Sequence, residues 1–244
     1  MVLSLFALGF FLSLPGSASD YQSPRAAGLG GAGHAAPLLN DAIYLNPSYS
    51  AFLQSYSVGI SYQNFYGTQS GQGAGRQYNV SIQDGRSPLF QAGLGYTVRE
   101  DGAMVHLAAS RLVAQRVSVG VGTKFMMPND ASRRGAQELT VAATAIPLPY
   151  FIVSVQAENL IQSNASLEQR FQREFILGTK FTLENILALY ADPHFTPVLA
   201  DPWGYELGAE LIAFKDVTLR AGLFQNANVG FVGARTRGFS AGAG

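Results

Sequence analysis

Few side chains in this sequence stand where they could do chemistry. His34, His106 and His194 are its three histidines, and no two share a metal-ligand spacing. With no cysteine, neither a thiolate metal site nor a disulfide can form. No His-x-Ser occurs, and the one literal Gly-x-Ser-x-Gly, Gly238-Phe239-Ser240-Ala241-Gly242, lies in a stretch that looks like the opening of a strand rather than in the strand-to-helix elbow a hydrolase needs. These observations predict a protein that is not an enzyme, with no cofactor and no metal site. Gly28-Leu29-Gly30-Gly31-Ala32-Gly33 is a literal G-x-G-x-x-G. A dinucleotide cradle needs a buried strand before that pattern and an acidic residue about 20 positions after it. The preceding DYQSPRAA cannot be such a strand, so the run reads as glycine that lets backbones pack closely.

Six charged residues are informative by position: Lys124, Glu158, Lys180, Glu206, Glu210 and Arg220. Each lies on the small or polar side of a stretch that alternates every two residues, and successive strand side chains point to opposite faces. Tyr56, Val58, Ile60 and Tyr62 alternate with Ser57, Gly59, Ser61 and Gln63. The same pattern recurs around Val80, Leu94, Leu107, Val119, Val141, Val153, Leu177, Leu207 and Leu219, and less clearly over 183–190. That reading predicts about eleven strands.

The connections between them are sorted. Short turns fall at 84–88, 113–115, 147–149, 184–185 and 215–216. Longer, more polar segments fall at 67–77, 128–137, 159–173 and 191–203, and only Glu100-Asp101-Gly102 breaks the alternation. Short turns on one rim and long loops on the other are the habit of a membrane barrel, which a soluble sandwich has no reason to share. Aromatics near strand ends, among them Tyr62, Tyr150, Phe151, Trp203 and Tyr205, suit girdles at both interfaces. The six charges must then face the lumen, because Lys or Arg facing the bilayer centre costs about 2–4 kcal/mol. There they either meet a ligand head group or pair with one another across the interior.

Composition agrees. Charged residues are 13% of the 244, glycine accounts for 27, and no 18-residue apolar run follows the N-terminus, which excludes a transmembrane helix bundle. Formal net charge is zero and Arg133-Arg134 is the one basic cluster, which argues against a nucleic-acid partner. Residues 1–19 read as a signal peptide, with Gly16-Ser17-Ala18 as small residues for cleavage, although no Lys or Arg follows Met1. Residues 20–52 read as a plug ahead of a barrel at 53–244. Gly238 to Gly244 look like the opening of a further strand. Open sheet edges do not survive in hydrocarbon, so the expectation is a barrel of about 12–14 strands whose last strands are missing here.

The Gly28–Gly33 run, followed by Asn40-Asp41-Ala42 and Tyr44-Leu45-Asn46-Pro47, resembles the N-terminal region of FadL-type and PorV-like outer-membrane proteins. Ser48 stands where that pattern usually has Ala, and Asp216 to Gln225 is similar to the late strands of PorV-like proteins. The resemblance implies an all-β, antiparallel transmembrane barrel in the bacterial outer membrane, its lumen partly closed by the plug. Gly30, Gly33, Asn46 and Pro47 would set the plug's conformation. It further implies transport or binding of hydrophobic or amphiphilic compounds such as fatty acids, with membrane lipids as surroundings. The rival expectations are a non-transporting scaffold, a lipid-enclosing homo-oligomer or a PorV-like secretion partner, and, more remotely, a soluble secreted sandwich that binds ligand.

Overall fold

The computed structural model describes residues 23–65, 75–99, 102–129, 137–161, 173–184, 186–195, 203–214, 217–225 and 237–244. The expected signal segment and the polar loop tips at 130–134 and 163–172 lie outside the described residues. The chain forms β1 (Tyr56–Phe65), β2 (Gly75–Asp84), β3 (Gln91–Arg99), β4 (Gly102–Ala114), β5 (Val117–Pro128) and β6 (Gln137–Leu148). It continues with β7 (Phe151–Glu158), β8 (Glu174–Leu183), β9 (Leu187–Phe195), β10 (Trp203–Phe214), β11 (Val217–Gln225) and β12 (Arg237–Ala243). All twelve lie in one sheet in sequence order. Every neighbouring pair is antiparallel.

Connections after even-numbered strands are short, as is the one between β3 and β4, and register shifts sit beside three of the former, at Leu112/Ala114, Ala145/Leu148 and Ile212/Phe214. Bulges of this kind bend a strand where it leaves the ladder at a rim. One boundary differs from expectation. The ninth strand is not 183–190; Glu184 turns with φ +47° and β9 runs from Leu187 to Phe195. Asp192 and Pro193 break the strand-like composition there, yet the alternation continues inward through Ala188, Tyr190, Asp192 and His194.

Burial is inverted relative to a soluble protein. Ile60 is 80% exposed and Val58 61%, while Thr97 and Ser118 on other strands are fully buried and Glu138 and Glu174 are each 1% exposed. An apolar outer face and a polar inner one, repeated on strand after strand, belong to a wall whose solvent is lipid. Aromatic pairs cap both ends of this wall: Tyr150–Phe181 on the short-turn rim, Tyr62–Tyr78 and Phe195–Trp203 on the other.

Residues 23–55 thread the interior. Helix α1 (Pro24–Gly28) starts at a Ser23 cap with proline at its first position. A 3-10 turn (Leu39–Asp41), helix α2 (Ala42–Leu45) and a 3-10 helix (Pro47–Phe52) follow. This one segment touches every strand. Asn40 reaches β1 and β2, Ile43 and Tyr44 abut β3, and Tyr44 stacks edge-on to His106 of β4. Ser48 lies on β5, Asn46 bonds β6, and the His34 carbonyl accepts from β7. Ala35 abuts β8, His34 bonds β9, Arg25 bonds β10, Leu29 abuts β11, and the Gly28 carbonyl accepts from Ser240 of β12. A flat sheet cannot contact one short segment along its whole width. The sheet is therefore curled around the plug as a barrel wall, although among the described residues β12 and β1 do not pair with each other. The fold is an all-β, antiparallel transmembrane barrel with an internal N-terminal plug.

Candidate functional site, the seam between plug and wall

Close approach of backbone to backbone comes first. Gly30 and Gly31 adopt φ +69° and +93°, a region that residues with a Cβ rarely visit, and so turn the chain back along the wall. A Cβ on Gly120 of β5 would stand 2.4 Å from the Ser48 nitrogen, so the wall's own glycine makes room for the plug main chain. Gly33, with φ +132°, presents its N–H to the Asp192 carboxylate. Pro47 opens the 3-10 helix and its ring meets the space beside Gly122 at ordinary contact distance.

Polar fastening comes second. Asn46 is fully buried and uses its whole amide. Its Nδ2 donates to the His34 carbonyl at 2.7 Å and to Thr144 Oγ1 at 2.9 Å. Its Oδ1 accepts from the Ser48 N–H at 3.0 Å and the Ser48 hydroxyl at 2.6 Å. Asn46→Ala strands the Ser48 N–H and part of the Thr144 and His34 pairing. The expected loss is about 2–3 kcal/mol of stability, read as a lower midpoint for the heat-induced gel-mobility change.

Charged groups form two separate nests. On one side Arg25 Nε donates to Glu210 Oε2 at 3.0 Å, Arg220 Nε to the same oxygen at 2.8 Å, and Arg25 Nη2 to the Tyr190 hydroxyl at 2.7 Å. The Lys180 ammonium lies over the Tyr190 ring, 5.6 Å from its centroid. On the other side, buried Asp192 accepts from the Gly33 N–H, the His34 N–H and His34 Nδ1 at 2.7, 2.9 and 3.1 Å. Burial alone would lower the His34 pKa, but the hydrogen bond to Asp192 and the charges of Asp192 and Glu206 outweigh it and hold it above its ordinary value. The Tyr44 phenol, beside His106, is pushed up to about 12 by burial and stays neutral.

The six charges singled out from the sequence thus divide. Glu210 and Arg220 meet through Arg25, Lys124 pairs with Glu138 at 2.6 Å, and Glu206 approaches His34 and His194. Lys180 takes the aromatic contact, and Glu158 stands opposite Glu174 in the β7–β8 register. Arg25, His34, Glu174, Asp192 and His194 complete these nests, Glu138 pairs with Lys124 apart from them, and none of these six partners was among the expected site residues. For the wall members the missing signal was alternation: Asp192 and His194 share the inward parity of Ala188 and Tyr190, and Glu138 that of Thr140 and Thr144. For Arg25 and His34 no local pattern exists, because their partners are more than 150 residues away, as in the His34–Asp192 pair with a separation of 158.

Solved structures of engineered Rhodopseudomonas blastica porin are similar to this chain. A triple mutant matches with a TM-score of 0.47 and 11% identity, and another mutant with 0.46 and 9%. Both matches cover 68% of this chain and 54% of the porin, so the chain spans about half the length of the porins it matches. No protein-family model and no curated protein matches the chain.

Proposed function

We propose that this barrel resides in the bacterial outer membrane, after removal of a signal peptide, and holds or passes a hydrophobic or amphiphilic compound such as a fatty acid. The plug is its gate. The observation that carries the reading is the way the plug is held. It bears on every strand, yet through side-chain hydrogen bonds and ion pairs such as Arg25–Glu210 and Asn46–Thr144 rather than through sheet pairing. Each such bond is worth only about 1–3 kcal/mol net, so a ligand can exchange them one at a time. A simple diffusion pore has no use for a lumen filled this way. The FadL-type resemblance of Gly28–Pro47 agrees with the same role.

Reconstituted into planar bilayers, the wild-type protein is expected to be silent, and Arg25→Ala, which frees Glu210 and Tyr190 from the plug, to show intermittent conductance. Labelled fatty acid is expected to bind the wild type in detergent. Stable open channels in the wild type without ligand would overturn the gate. The breadth of plug contact also favours a second reading, a PorV-like or scaffolding barrel that conducts nothing. Native mass spectrometry separates the two: a monomer retaining a fatty acid supports transport, and a defined oligomer carrying phospholipid supports the scaffold.

A further inference from the structure

We propose that His34, His194 and Glu206 form a site for one divalent transition cation, with zinc as the reference case, that clips the plug to the wall. The three come from the plug, β9 and β10, which is why no spacing in the sequence announces them. One ligand atom from each lies within 4.8 Å of the others. Glu206 Oε2 stands 3.5 Å from His194 Nε2 and 3.5 Å from His34 Nδ1, the nitrogen that bonds Asp192 in the absence of a cation, so a bound cation takes the place of that hydrogen bond. Zinc bonds to nitrogen and oxygen are about 2.0–2.2 Å, which sets ligand atoms of a tetrahedral site about 3.3–3.6 Å apart. Those separations are too long for good charge-assisted hydrogen bonds and right for a shared cation.

Two further observations point to a ligand. His194 Nε2 and Glu206 Oε2 are buried and make no hydrogen bond, in residues only 3% and 5% exposed. Buried polar atoms are normally satisfied, and these two face one another across 3.5 Å, a gap that a shared cation would close. In addition, His194 Nδ1 lies 2.8 Å from Glu174 Oε1. That contact occupies Nδ1 and leaves Nε2 as the ring atom that faces the Glu206 carboxylate. A carboxylate behind an imidazole ligand is the usual outer support of a metal-binding histidine. Two imidazole nitrogens with one carboxylate select zinc-like cations over magnesium or calcium, which prefer oxygen. The cation displaces any proton from these rings and balances the carboxylates of Glu174, Asp192 and Glu206, which are otherwise concentrated in a buried space.

The test uses the full chain in detergent, stripped with a chelator and reloaded with zinc alone. One zinc per chain is expected after gel filtration, measured by elemental analysis, and the heat-induced mobility change is expected to move to higher temperature. His194→Ala and Glu206→Gln are expected to lose stoichiometric zinc, and Glu174→Gln to bind it about 10–100-fold more weakly. Cobalt in the wild type is expected to give the intense visible absorption of a four-coordinate site, which decides the matter even where a variant fails to fold. Absence of stoichiometric zinc in the folded wild type, or equal binding by wild type and both ligand variants, or a six-coordinate cobalt spectrum, overturns the proposal.

Discussion

Gly222→Ala is expected to unseat the plug, at a cost of about 3 kcal/mol or more. A Cβ at this position in β11 would stand 2.1 Å from the Leu29 carbonyl carbon and 2.3 Å from the Gly30 nitrogen. These are main-chain atoms, so no rotamer change relieves the clash. Neither side has freedom to retreat. Gly222 pairs with Gly208 of β10 and Ser240 of β12, which pin the strand from both edges. Leu29 is fully buried, and the turn that follows depends on positive φ at Gly30 and Gly31 while Gly31 rests on the Glu206 carboxylate. Overpacking usually costs about 1–3 kcal/mol, and contacts against backbone on both sides belong at or beyond the top of that range. Gly122→Ala is the internal control. Its nearest neighbour would be Pro47 Cγ at 3.4 Å, an ordinary contact, so its effect is expected to stay within about 1 kcal/mol. Denaturant midpoints and protease cleavage between residues 29 and 53 read the difference. Equal stability of the two alanine variants would remove the tight seam from the account.

Much of the wall was legible because lipid enforces a strict two-residue period. Val58 and Ile60 must be apolar and Ser57 and Gly59 must fit the interior, so strand positions and facing follow from composition alone. The sorting of turns and loops is equally local, and the opening of a twelfth strand at Gly238 is visible in the same alternation. Failure came at β9. Proline lacks an N–H and Asp is depleted in strands, so Asp192-Pro193 looks like loop; the plug supplies the groups that make it a strand.

Pairing was legible only where a tight turn sets it. Glu210 and Arg220 face each other across the β10–β11 pair, and the shortness of the connection between Phe214 and Val217 leaves their register little freedom. Lys124 and Glu138 also face each other, but a long connection separates them and leaves the register open to the sequence reader. The plug is the extreme case. Its glycines say that something comes close, and nothing local says that the something is Leu29 against Gly222 or Ala35 against Gly178.

Asp192→Ala is expected to cost about 3–5 kcal/mol, because one carboxylate serves two structures at once. On its plug side Oδ2 accepts the Gly33 and His34 N–H groups and His34 Nδ1. On its wall side Oδ1 accepts the Thr179 N–H at 3.2 Å. The wall needs that bond. Between Ile176/His194 and Thr179/Ala191 the β8–β9 ladder is interrupted, and Pro193 has no N–H to give. At the same place Gly178 lets the plug backbone of His34 and Ala35 press against the strand. Alanine would leave several buried donors without acceptors and His34 without the nearer of its two counter-charges, the costly way to break a buried network. Asn keeps one oxygen. Turned toward the plug, it preserves the paired N–H contacts and loses the Thr179 bond and the charge, so its expected cost is smaller, about 1.5–3 kcal/mol. His34→Ala combined with Asp192→Ala is expected to fall short of additivity by about 1 kcal/mol or more, since the two changes remove the same contact. Hydrogen exchange at the Gly33, His34 and Thr179 amides locates the effect. If all three stay as protected in Asp192→Ala as in the wild type, the carboxylate does not hold plug and wall together.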